Sequence, residues 1–125
     1  MKKIIFYSYL KCSTCRKAAK WLDNEELKYQ LIDIVKEPPL LEYLNLALEQ
    51  YSVDKKKVFN TRGKAFKSIN LDINSLSREE INQLLLSDGK LIKRPFLVYE
   101  EKKVILGFNE IEYAKQFCDA QKLSL

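Results

Sequence analysis

At 125 residues, 46% hydrophobic and 31% charged, the chain has the size and composition of one soluble globular domain, which argues against two-domain, disordered or collagen-like architectures. It contains no histidine and only three glycines, Gly63, Gly89 and Gly107, so Ser-His and Cys-His catalysis, HExxH zinc hydrolysis, the P-loop and the dinucleotide-binding glycine turn are excluded. The net charge of +5, from 22 basic against 17 acidic residues, is dispersed apart from Lys55-Lys56-Lys57 and reads as a solvated surface, with no nucleic-acid partner expected.

The opening Met1-Lys2-Lys3 and the apolar run Ile4 to Leu10 imitate a signal peptide, but Lys11 interrupts the run and no small-residue cleavage site follows. No stretch approaches the roughly 18 apolar residues of a membrane span, so a cytosolic protein is expected. Lys2 to Tyr7 predicts a central strand, because Ile4, Ile5 and Phe6 form a continuous apolar run of the kind buried on both faces. Ser13 to Glu25 follows as a helix with Ala18, Ala19 and Leu22 at helical spacing, and Cys12 falls at its start. Lys28 to Ile34 reads as a second strand, which makes the opening a βαβ unit with parallel strands.

Pro38-Pro39 breaks the chain, after which Leu40, Leu41, Leu44 and Leu48 mark the inner face of a helix to about Tyr51. Periodicity is weak from Ser52 to Leu76, with short helical turns around residues 55–59 and 64–69. Ser77-Arg78-Glu79-Glu80 is a capping box that opens a helix with Ile81, Leu84 and Leu85 inward, ended by Asp88-Gly89. Residues 96–99 and 104–106 read as an antiparallel hairpin. Asn109 to Glu112 starts a final helix to about Gln121, with Ile111, Ala114, Phe117 and Cys118 on one packed face. The order predicts a mixed four-stranded α/β sheet, βαβ then ββα, in a single domain with its core at about 1–36 and 90–125 and a helical insert at about 37–89.

The chemistry concentrates at Cys12-Ser13-Thr14-Cys15. At a strand-to-helix junction, free amide groups and the positive end of the helix dipole stabilise a thiolate, with Lys11 and Arg16 adding charge. Two intervening residues bring the sulfurs within disulfide reach, so one thiol can attack and the other resolve. Two alternatives compete: a pair of small buried hydrophobes, or a metal site, for which the ligands are too few because only the distant Cys118 remains. Arg94-Pro95, directly before a strand, predicts a cis peptide bond opposite the Cys12 helix terminus.

The CxxC after the first strand, Asn60-Thr61-Arg62-Gly63, Lys93-Arg94-Pro95-Phe96-Leu97 and Gly107-Phe108-Asn109-Glu110 together resemble the arsenate-reductase/Spx family over nearly the whole chain. The resemblance implies a thioredoxin-like fold with a helical insert, in which Cys12 is the nucleophile and Arg62 and Arg94 hold an oxyanion beside Pro95. It also implies glutathione as a co-substrate, or glutaredoxin or thioredoxin as a partner, with no bound cofactor or metal. Two positions depart from the reductases: Ser8 stands where they carry a histidine, and Phe108 where they carry a further arginine. Cys15 supplies a resolving thiol in place of their usual glycine-threonine-serine continuation. The Spx branch implies a redox-sensing regulator that binds the alpha subunit of RNA polymerase, but its binding region uses a glycine in the insert, and none occurs here before Gly63. The chain is most similar to a branch of small reductase-like proteins associated with glutathione-dependent thiol reduction. A thiol-disulfide reductase with Cys12 attacking and Cys15 resolving is therefore expected.

Overall fold

The computed structural model describes residues 3–118 and places the first apolar run at the centre of a four-stranded sheet. Strand β1 (Ile4–Ser8) lies between β2 (Gln30–Asp33), which is parallel to it, and β3 (Phe96–Tyr99), which is antiparallel; β4 (Lys103–Leu106) pairs antiparallel with β3. Helix α1 (Ser13–Asn24) forms the crossover from β1 to β2. The insert contributes α2 (Leu41–Gln50), the four-residue α3 (Lys64–Lys67), α4 (Arg78–Ser87) and three single 3-10 turns; α5 (Glu110–Phe117) closes the chain. This is the expected thioredoxin-like order. The predicted first residue of β1, Lys2, and the predicted end of α5 beyond residue 118 lie outside the described residues.

Strand alternation divides the core in two. Phe6, Leu97 and Ile105 stand in register across three strands and face Ala18 and Leu22 of α1 and Tyr113 and Phe117 of α5. Ile5, Val98 and Val104 point the other way, onto Tyr43, Leu44, Ala47 and Leu48 of α2 and Ile81 and Leu85 of α4. Each such large apolar side chain contributes about 1.5–3 kcal/mol on full burial, so both helical layers are bound to β1 and β3. The predicted capping box is present, with the Ser77 hydroxyl accepting from Glu80 N–H at 3.1 Å and Glu80 Oε1 from Ser77 N–H at 2.9 Å.

Two helix faces differ from expectation. Leu40 and Leu41 are about half exposed, and Tyr43 and Ala47 take the inner positions beside Leu44 and Leu48. Both rotations satisfy a 3.6-residue period; the one adopted buries the Tyr43 ring while its hydroxyl donates to Glu101 Oε1 at 3.2 Å. In α5, Ile111 is 68% exposed and the inward pair is Tyr113 and Phe117. The two rings sit against Trp21, with centroids 5.5 and 6.2 Å away, burying more area than Ile111 and Ala114 offer. Cys118 is therefore no core residue: it follows the helix, half-buried, and its thiol donates to Glu25 Oε1 at 3.0 Å.

Two contacts set the insert against the sheet. Gln50 at the end of α2 pairs with the free edge of β4 like a strand, donating to Val104 O and accepting from Val104 N–H, each at 2.7 Å; this satisfies and shields an edge otherwise open to pairing. At the other edge the backbone of Gly89 runs so close to the end of β2 that a β-carbon there would lie 2.1 Å from Ile34 O. Only glycine permits that approach.

Candidate active site

Because β1 and β2 run parallel and β3 and β4 alternate, the C-terminal ends of β1, β2 and β4 and the start of β3 share one rim of the sheet. The chain leaves β1 at this rim, turns so that Cys12 N–H donates to Tyr9 O at 3.0 Å, and enters α1 with Cys12 as the residue before the first helical turn. In that extended conformation (φ −95°, ψ 115°) its sulfur accepts from Cys15 N–H at 3.3 Å. Sulfur thus fills the place that Ser or Asp oxygen usually takes, receiving one of the unpaired amides at the helix's positive end. Arg16 Nη1 donates to Leu10 O at 2.6 Å and ties the loop to the helix.

The two thiols have opposite surroundings. Partial burial of Cys12 opposes its ionisation, but the thiol and amide of Cys15, together with the Arg94 guanidinium, outweigh burial and hold Cys12 below the ordinary thiol range. Cys15 is 1% exposed. Burial first, and then the neighbouring Cys12 sulfur, push its pKa up to about 12, against smaller stabilisation from the Tyr9 amide and the Ser8 hydroxyl. At neutral pH the partly accessible sulfur is the more acidic and the enclosed one stays protonated. An attacking and a resolving thiol would need a difference of this kind.

Arg94 enters from the segment before β3, and the Arg94-Pro95 bond is cis, as expected. Its guanidinium carbon lies 5.0 Å from the centroid of the Tyr9 ring, a cation–π arrangement that orients the fork. One terminal nitrogen, Nη1, is buried without a hydrogen-bond partner among the described residues. An unpaired buried donor costs about 1–3 kcal/mol, and an anion beside Cys12 would relieve it. Pro95 O accepts from Gly107 N–H at 2.9 Å and joins this segment to the end of β4.

Cys12, Cys15 and Arg94 are thus brought together. Arg62 makes no hydrogen bond or ion pair with them or with any other of the described residues, and it is exposed in the turn from Asn60 to Gly63. Its loop is nevertheless held to the Arg94 segment, through Asn60 N–H to Leu91 O at 2.8 Å and Lys93 N–H to Val58 O at 2.9 Å. Two positions now have defined surroundings. Ser8 stands beside the Cys15 sulfur, and Phe108 packs edge-on against Tyr113 with centroids 4.8 Å apart. Tyr9 was not foreseen as a site residue; only its place three residues before Cys12 hinted at it, since its partner Arg94 is 85 positions away. Among the described residues no three His, Cys, Asp or Glu side chains converge to hold a metal. A mainly apolar cavity of about 270 Å³ reaches Cys15, with Tyr9, Ala19, Tyr29 and Ile32 among its apolar lining and Arg16 and Asp33 among its polar lining.

Comparison with known proteins agrees with this geometry. The chain is 40% identical over 116 residues to the uncharacterized protein YusI of Bacillus subtilis, covering 91% of this chain and 98% of that one. It is 33% identical over 109 residues to the global transcriptional regulator Spx of Lactiplantibacillus plantarum, covering 87% and 82%. The crystal structure of a possible arsenate reductase from Streptococcus mutans superposes with a TM-score of 0.82 at 40% identity, covering 91% and 98% of the two chains. The ArsC family matches residues 7–116, from the end of β1 to α5, and the chain belongs to that family.

Proposed function

We propose that this protein is a cytosolic thiol-disulfide reductase in which Cys12 attacks a disulfide substrate and Cys15 resolves the intermediate. The observation that carries the reading is the asymmetry of the pair, a partly open Cys12 stabilised as thiolate beside Arg94 and a buried Cys15 held protonated. The Cys12 thiolate displaces one thiolate from the substrate disulfide and forms a mixed disulfide. Once Cys12 is neutralised in that bond, one cause of the high Cys15 pKa disappears. Cys15 then loses its proton to solvent and attacks the Cys12 sulfur, releasing the second substrate thiolate and leaving a Cys12–Cys15 disulfide. Two electrons have passed from protein to substrate, and glutathione, or a dithiol protein of the glutaredoxin or thioredoxin type, returns the pair to the reduced form. Arg94, with Arg62 on the neighbouring loop, holds an anionic group of the substrate.

Arsenate is a poor candidate for turnover, because Ser8 is committed to Cys15 and Phe108 to Tyr113 where the reductases carry oxyanion-handling side chains. The test is turnover with arsenate and with glutathionylated thiols, each supplied with glutaredoxin and thioredoxin systems. Multiple turnovers with a mixed disulfide, abolished by Cys12→Ser, support the assignment; full activity of Cys12→Ser refutes it. The likeness to Spx supports a second reading, a redox-sensing regulator docking on the alpha subunit of RNA polymerase. A pull-down of that subunit by the reduced protein, without multiple turnover, would replace the first reading with the second.

A further inference from the structure

Strand β2 is an edge strand, paired only with β1. Just past its end, Ile34 N–H donates inward to Ser8 O at 2.9 Å. Backbone groups of successive strand residues alternate between the two sides, so Leu31 and Asp33 turn their N–H groups outward, away from β1. Among the described residues nothing accepts from either group, in contrast to β4, whose outer Val104 groups are met by Gln50. Beside this open edge lies the mainly apolar cavity of about 270 Å³, whose wall joins Leu31 and Tyr29 of the β2 segment to Cys15 and Ala19 of α1. Leu31 stands in register with Phe6, which faces α1, yet it is 65% exposed, and Leu10 at the same cavity is 85% exposed. An unpaired backbone edge and an apolar recess between strand and helix thus run side by side.

The polar groups of the recess are already engaged. Asp33 Oδ1 accepts from Val35 and Lys36 N–H at 2.9 and 3.2 Å, Arg16 Nη1 donates to Leu10 O, the Tyr29 hydroxyl donates to Asp23 Oδ1 at 2.9 Å, and Ser8 stands on the Cys15 sulfur. The recess therefore suits an uncharged apolar group, and its volume, below the about 300–1,000 Å³ of sites that enclose a whole small molecule, suits one side chain. Around it the charge is positive: Arg16 is in the wall, Lys11 and Lys20 follow Leu10 and Ala19 in the chain, and none of the three forms an ion pair among the described residues. We propose that an extended, acidic segment of a partner protein adds to β2 as a fifth strand and seats one large apolar side chain in this recess. Backbone pairing holds such a segment, and the recess selects its side chain. A second copy of this chain, itself carrying +5, would bring like charge to the same edge. The docked side chain reaches the wall that contains Cys15, and the docking requires no thiol exchange at Cys12.

The test passes a pool of fully randomised heptapeptides over the immobilised, reduced full chain and sequences the retained fraction. Retained peptides are expected to carry one Leu, Ile, Met or Phe flanked by Asp or Glu. The best of them, added to the protein in solution, should slow amide hydrogen exchange at Leu31 and Asp33, which point outward, and leave Ile34, already bonded to Ser8, unchanged. Ala19→Leu narrows the recess and should weaken that peptide at least about tenfold; if this variant does not fold, a peptide with Gly in place of its apolar residue measures the same contact on the unsubstituted protein. A retained fraction with no such pattern overturns the proposal, as does binding that leaves the Leu31 and Asp33 amides exchanging at their original rates. Slowing of those two amides with rising protein concentration and no peptide present would assign the edge to a second copy and overturn it equally.

Discussion

Replacing Arg94 by Gln tests the electrostatic basis of the site directly. The guanidinium, stacked on Tyr9 at 5.0 Å, is one of the groups that hold Cys12 below the ordinary thiol range against the opposing effect of burial. A charge-assisted hydrogen bond contributes about 1.5–3 kcal/mol, and because Cys12 is partly open to water the lower end applies. About 1.4 kcal/mol is tenfold in an equilibrium, so below the midpoint of its titration the thiolate fraction of Cys12 should fall about tenfold in R94Q. The sign follows from the direction of the shift. A lowered pKa makes thiolate appear early as pH rises, so removing the cation moves the profile to higher pH. The assay is the rate of Cys12 alkylation by iodoacetamide against pH, in a Cys15→Ser, Cys118→Ser background where one thiol remains. The two profiles should separate on the acidic side and converge at high pH. Superimposable profiles would show that Arg94 does not act on Cys12, and the proposed electrostatics would fall.

Ser8→Ala removes a hydroxyl that stabilises the Cys15 thiolate and, at about 1 kcal/mol for a neutral hydrogen bond, should slow closure of the Cys12–Cys15 disulfide about fivefold while Cys12 alkylation stays unchanged. A Ser8→Ala protein that closes its disulfide at the original rate contradicts the role given to that hydroxyl. Gly89→Ala places a β-carbon 2.1 Å from Ile34 O and should cost at least the about 1–3 kcal/mol of an overpacked site, lowering the urea midpoint read from the single tryptophan, Trp21. An unchanged midpoint would refute the close approach. The raised Cys15 pKa also predicts a pH dependence. The folded protein keeps that proton when the unfolded chain has lost it, so stability of the reduced form should hold up to the ordinary thiol value of 9.0 and decline as pH rises toward about 12. Thermal melts across that window, with Cys15→Ala as control, measure the difference.

Patterns local in the chain were legible from the sequence. The apolar run of β1, the βαβ opening, the Ser77 capping box and the CxxC at a helix start each involve residues within one or two turns of one another, where periodicity and capping chemistry decide the outcome. The place of Cys12 at the start of α1 belongs with these, because the amide of Cys15 that meets its sulfur is three residues away. Which side of α2 and α5 meets the sheet was not legible, since two rotations of each helix satisfy the same period. The choice depended on the shape of the opposing surface, on Trp21 for α5 and on the hairpin carrying Glu101 for α2. The same holds for Tyr9 under Arg94. Tyr9 and Arg94 become neighbours only when β1 and the segment before β3 meet at one rim, and no local spacing encodes a contact made by closing a loop of some eighty residues.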